Sequence, residues 1–81
     1  MNVRVQFYAQ LRDLAEASEL RVTIGPNGTV GDLLEQVYRE KPALRAHDHT
    51  ILIGAGVEFV DRNYRVKPEE TIAVMPPVQG G

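Results

Sequence analysis

Eighty-one residues with nine basic and eleven acidic side chains carry a net charge of −2 and, at 43% hydrophobic, allow one domain with a modest core. No cysteine is present, which excludes disulfides, thiolate metal sites and redox chemistry by the chain's own side chains, so any sulfur it handles comes from outside. The charges are scattered without the basic stripe that a phosphate backbone demands, no apolar run is long enough to span a bilayer and MNVRVQFYAQ is not a secretory leader, so nucleic acid and membrane are excluded as partners and a cytoplasmic protein is expected.

Val3, Val5 and Phe7 alternate with Arg4, Gln6 and Tyr8, a period of two that predicts an opening strand with one face on a core. Leu11 and Leu14, three apart in AQLRDLAEA, predict a short helical turn against the core rim. Leu20, Val22 and Ile24 resume the alternation, and GPNG stops it with residues suited to tight turns. From Thr29 the period changes: Val30, Leu33, Leu34, Val37 and Tyr38 mark one helical face. Thr29 is a suitable N-cap, Asp32 places negative charge in the first turn, and Pro42 predicts an end near Glu40. Gly31 weakens that first turn slightly, because glycine loses more backbone freedom than alanine. After an irregular ALRAHDH, TILI reads as a strand, GAGVEFVDRNYRV as turns and short extended pieces, and KPEE as the last turn. TIAVM is a final strand, with Ile72 and Val74 facing one way and Ala73 and Met75 the other. The class is therefore α+β, with one main helix burying its apolar face on a single sheet. The pattern leaves the strand pairing open.

Several constellations carry no chemistry. His47-Asp48-His49 supplies two metal-capable rings but lacks the further ligands of a stable site. Gly54-Ala55-Gly56 lacks the lysine and helix of a phosphate loop and reads as a turn. Adjacent Glu69 and Glu70 point apart and read as a solvated turn rather than an acid–base pair. Arg4, Arg12, Arg62, Arg65 and Lys67 are candidates for salt bridges to partners. No nucleophile–base arrangement stands out, and no metal site is expected.

The chain ends MPPVQGG, and each part of that tail suits a segment handed to another protein. Pro76 and Pro77 favour extended geometry and leave less entropy to lose on binding, and Val78 offers one apolar anchor. Gly80 and Gly81 have no Cβ, so a narrow channel can enclose the backbone on all sides. The opening VQFYAQLRDL, the EFVDRNYRV segment and above all MPPVQGG resemble the small-subunit family of molybdopterin synthase, within the ubiquitin-like sulfur carriers. The sequence departs from that family in lacking the bulkier aromatic common near Met75, in having Gly54-Ala55-Gly56 where an asparagine-glycine turn is common near the third strand, and in its KPEE turn in place of a glycine-aspartate type.

The resemblance implies a β-grasp domain over residues 1–75, a mixed sheet holding the helix with the first and last strands adjacent and parallel, and an extended tail over 76–81. It also implies that a partner adenylyltransferase, using ATP and magnesium, activates Gly81. A sulfur donor protein then converts that end to a thiocarboxylate, and the tail delivers sulfur to a cyclic pterin precursor inside the large synthase subunit. A heterotetramer of two small and two large subunits is expected, with no cofactor on this chain and catalysis only in the complex. If the first and last strands are neighbours, Tyr8 and Met75 share the sheet face away from the helix, and Phe59 joins them, forming a partner surface. The alternative is that Tyr8 covers a sheet edge and Met75 fills a gap. Rival functions are sulfur delivery to thiamine or thiolated-nucleoside synthesis, protein modification through Gly81, and a binding module whose terminus has no chemistry.

Overall fold

The computed structural model describes residues 1–77. Among them the elements are β1 (Asn2–Phe7), α1 (Gln10–Ala15), β2 (Glu19–Thr23), α2 (Val30–Glu40), a 3₁₀ helix (Pro42–His47), β3 (Leu52–Ala55), β4 (Glu58–Val60) and β5 (Thr71–Met75). The strands form one sheet in the order β2-β1-β5-β3-β4. β1 runs parallel to β5, with Val5 beside Ile72 and Phe7 beside Val74, and the other neighbours are antiparallel. A mixed sheet holding one main helix across a face, with the first and last strands adjacent and parallel, is the ubiquitin-like β-grasp.

The alternation in β1 and β5 puts Val3, Val5, Phe7, Ile72 and Val74 on the core face, where they meet Leu33, Leu34 and Val37 of α2 in one buried cluster. The helix begins where the sequence predicts. Thr29 Oγ1 accepts from the Asp32 amide at 3.3 Å, and the Asp32 carboxylate accepts from the Thr29 amide at 3.0 Å, a reciprocal capping box. The two remaining first-turn amides are bound from outside the helix: Val30 donates to the Tyr64 carbonyl at 2.9 Å and Gly31 to the Arg62 carbonyl at 3.0 Å. A Cβ at Gly31 would lie 3.4 Å from that Arg62 oxygen, so the glycine that weakens the helical pattern lets residues 62–64 close over the helix end.

Four expectations need correction. Leu14 does not pack on the core; it is exposed, and Ala15, four residues after Leu11, is the buried partner. The segment read as irregular holds a 3₁₀ helix, opened by Pro42 and anchored by buried Leu44. Gly54-Ala55-Gly56 is not a turn, because Gly54 and Ala55 belong to β3 and the hairpin loop is Gly56-Val57. Gly56 takes φ 64° at the first loop position, which a type II′ hairpin reserves for glycine. Glu70 is not simply solvated: it accepts from the Tyr64 hydroxyl at 2.7 Å and the Lys67 amide at 3.0 Å, tying the last turn together.

Two of the arginines assigned to partners are engaged within the chain. Arg4 lies 3.5 Å from Glu19, and Arg62 donates to the Asp48 carboxylate at 2.6 Å. Asp48 also accepts from the Tyr38 hydroxyl, and its carbonyl from Arg62, so this residue of the His-Asp-His run joins α2, the 3₁₀ helix and the segment after β4. Partial burial pushes the Asp48 carboxyl up, but the bonds from Tyr38 and Arg62 and the nearby arginine charges outweigh it and hold the group below its ordinary value. A depressed folded value contributes stability above the unfolded value and loses it as pH falls through the folded one. The Arg62 and Asp48 side chains are 41% and 40% exposed, so solvent screens the pair. Asp48→Asn is therefore expected to cost about 1 kcal/mol near neutrality. Urea unfolding at two pH values checks this: the gap between the two proteins should narrow once the pH drops below about 4.

Candidate functional site

β5 is the central strand, and its end at Met75 leads directly to half-buried Pro76 and exposed Pro77. The predicted tail residues Val78, Gly80 and Gly81 lie outside the described residues. What the structure places beside their point of departure is the sheet face turned away from α2. The register sets a row across four strands on that face, Gln6 beside Ala73, Ala73 beside Gly54 and Gly54 beside Phe59. Met75 follows Ala73 by two residues and pairs with Leu52. Tyr8 follows β1 and is held against β5 by its amide, which donates to the Val74 carbonyl at 3.2 Å. Its hydroxyl donates to Gln6 Oε1 at 3.0 Å, on the same face.

Tyr8, Met75 and Phe59, the three residues assigned to a partner surface, thus line one groove of about 240 Å³. Tyr8 is 44% exposed, Phe59 68% exposed and Val57, at the hairpin tip, fully exposed. The side chains of the groove are apolar apart from the Tyr8 hydroxyl; Glu58, which also borders it, pairs with core-facing Ala55 and so carries its carboxylate on the opposite face, and the lining has no histidine, serine or lysine. Its chemistry is recognition. Sequence reasoning missed the small residues between the aromatics: Gly54 and Ala73 form the floor, and only the register reveals that they lie between Tyr8 and Phe59. A glycine inside a strand, a sign of close approach by another group, was the available signal.

Tyr8 is followed by Ala9 at φ 53° and ψ −135°, a strained conformation for a residue with a Cβ. The backbone turns there from β1 into α1, with the Tyr8 carbonyl accepting from the Leu11 amide at 3.2 Å. That sharp turn fixes where Tyr8 leaves the sheet.

A larger, open concavity of about 820 Å³ lies between the GPNG turn and the outer face of α2. Two of its acidic side chains are already engaged, Asp32 in the capping box and Glu35 with Arg45 at 3.2 Å. It is also remote in sequence and topology from the end of β5. Among the described residues, no group of three or more His, Asp or Glu is placed to hold a metal ion, and no helix is long and apolar enough to cross a membrane.

Comparison with known proteins agrees with this geometry. A Chlamydomonas reinhardtii protein called molybdopterin synthase sulfur carrier subunit is 28% identical over 83 residues, covering the whole of both chains. The solution structure of small archaeal modifier protein 1 from Methanosarcina acetivorans superposes with a TM-score of 0.81 at 26% identity, covering 99% of this chain and 96% of that one. The structure of a complex of subunits 1 and 2 of molybdopterin-converting factor from Helicobacter pylori contains a chain that matches with a TM-score of 0.72 at 22% identity, over the whole of both chains, a likeness of fold. The ThiS family model matches residues 5–81, nearly the full length, and the chain therefore belongs to the ThiS family.

Proposed function

We propose that this chain is the sulfur carrier of a molybdopterin synthase, bearing sulfur as a thiocarboxylate on Gly81. The observation that carries the reading is the groove of Tyr8, Phe59 and Met75 beside the point where β5 releases the tail. The Chlamydomonas relative, called a sulfur carrier subunit of molybdopterin synthase, supports the same pathway. A free carboxylate is a poor acylating agent. The Gly81 carboxylate oxygen attacks the α-phosphorus of ATP in an adenylyltransferase with magnesium, diphosphate leaves, and an acyl adenylate forms. Sulfide, or its equivalent from a donor protein, adds to the acyl carbon and expels AMP, leaving the thiocarboxylate. The tail, residues 76–81, then enters a large synthase subunit, where the thiocarboxylate sulfur bonds to a carbon of a cyclic pterin precursor and water cleaves the acyl–sulfur bond, returning Gly81 to its carboxylate. Two small and two large subunits make up the assembly.

A tail this short buries too little area to hold a complex, since stable interfaces bury about 800 Å² on each partner. The groove supplies the rest. Met75→Asp or Tyr8→Asp puts a charge into it, and each is expected to weaken association with the large subunit by about thirtyfold, the loss of a hot-spot contact, with the circular dichroism spectrum unchanged. Calorimetry on both variants checks this: unchanged affinity removes the groove from the interface, and loss of structure reassigns the residue to the core.

A second reading, protein modification through Gly81, is supported by the likeness to the Methanosarcina small archaeal modifier. Delivery of the same sulfur to thiamine or thiolated-nucleoside synthesis is a third. One reaction tests the shared chemistry: incubation with the adenylyltransferase of the same organism, ATP, magnesium and sulfide, followed by intact-mass and fragment analysis. One oxygen-to-sulfur replacement at Gly81 is expected. Its absence with a demonstrably active partner, or a mature chain continuing past Gly81, overturns the reading, and Gly81-dependent conjugates on lysines favour the modifier.

A further inference from the structure

The groove is not a flat apolar patch. Its walls come from the outer strands, Tyr8 after β1 and Phe59 on β4, and its floor from the two strands between them, Ala73 and Gly54. Gly54 is buried although it lies on the open face. A Cβ built on it would sit 3.1 Å from the Met75 methyl and 3.7 Å from the Ala73 Cβ. The flexible Met75 side chain therefore lies low across the missing side chain, and any larger residue at this position lifts that methyl into the groove. Gly54 does not adopt a positive φ, so backbone conformation is not the reason for a glycine here. Glycine in a strand interior weakens the strand, a cost that the room it leaves for the low-lying Met75 methyl explains.

We propose that this groove is a socket for one apolar side chain, aliphatic or aromatic, projecting from the protein that encloses the tail, and that Gly54 sets the depth of the socket. The inference rests on the carrier reading. Two observations select this occupant. At about 240 Å³ the groove falls below the roughly 300–1,000 Å³ of small-molecule sites, which leaves room for a protein side chain rather than a free ligand. The tail limits where a partner can sit: six residues from Pro76 to Gly81 reach at most about 20 Å when extended, so a protein that closes around Gly81 brings its surface to Met75.

The test measures the affinity of the large synthase subunit of the same organism for three chains: unaltered, Gly54→Ala and Gly54→Leu. Gly54→Ala asks the Met75 methyl to move by only a few tenths of an ångström and is expected to bind within about threefold of the unaltered chain, whereas Gly54→Leu fills the socket and is expected to bind about thirtyfold more weakly or worse. The melting temperature of the leucine variant should stay level or rise, which separates a filled socket from a damaged fold. Should Gly54→Leu fail to fold, Ala73→Leu raises the same floor from the neighbouring strand and decides the matter by the same measure. A folded floor variant that binds as tightly as the unaltered chain overturns the socket and leaves the carrier reading standing. Failure of the unaltered chain to bind the large subunit overturns socket and pathway together.

Discussion

Removal of Gly81 is expected to abolish thiocarboxylation while leaving the melting transition of the domain unchanged. The shortened chain still ends in a glycine, Gly80, so the chemistry of the acyl group is preserved and only its reach is altered. One extended residue spans about 3.5 Å, and a misplacement of about 1 Å at a reacting centre already costs a factor of order one hundred. Extension by one residue fails for a different reason: the added side chain must pass a channel suited to backbone alone. Gly80→Ala keeps the length and introduces a single Cβ, so it should slow the reaction rather than abolish it. The domain is indifferent to all three changes because β5 ends at Met75. Intact mass after a fixed incubation with the adenylyltransferase, ATP, magnesium and sulfide reads the outcome, and normal loading of the shortened chain would show that the partner does not measure the tail's length.

The legible parts of this molecule were those written in local pattern. Alternation over Val3–Phe7 and Thr71–Met75 located two strands and their buried faces, and Thr29 with Asp32 located the start of α2 together with the cap that holds it. The parallel pairing of β1 with β5 was not legible from periodicity, since residues 67 apart leave no local trace of adjacency, and it came from the family resemblance. Long-range neighbours also decided the errors. Gly54 and Ala55 have the composition of a turn, but Gly56 alone has the positive φ, and burial between strands claims the other two. Asp48 looked like part of a histidine loop because its partners, Tyr38 and Arg62, are 10 and 14 residues away. For the site, Tyr8 and Met75 announced themselves by falling on the non-core phase of their strands, whereas the phase of Phe59 was not legible in a segment of turns and short extended pieces. Gly54 and Ala73 did not announce themselves, because a floor is made by the absence of side chains.

Ile72→Ala and Phe59→Ala together separate what holds the domain from what the domain offers to others. Ile72 is fully buried on the central strand, flanked in register by Val5 on one side and Ala55 on the other. Truncating a buried isoleucine removes its transfer energy and leaves a cavity that a close-packed core only partly refills, at a cost of about 2–5 kcal/mol. A chain of this length has on the order of 4–12 kcal/mol in total, by the usual 0.05–0.15 kcal/mol per residue, so the loss is a large fraction of what keeps it folded. Phe59 has the larger side chain but is 68% exposed on the edge strand, and its truncation removes little surface that folding had buried. Phe59→Ala is therefore expected to change stability by no more than about 0.5 kcal/mol. In binding the order reverses. At a temperature where both variants are folded, Phe59→Ala should weaken association with the large subunit about tenfold, since it takes away one wall of the groove, and Ile72→Ala should leave it within about threefold. Chemical unfolding and calorimetry on the same two preparations read both quantities, and a stability loss at Phe59 as large as that at Ile72 would place the aromatic in the core rather than in the groove.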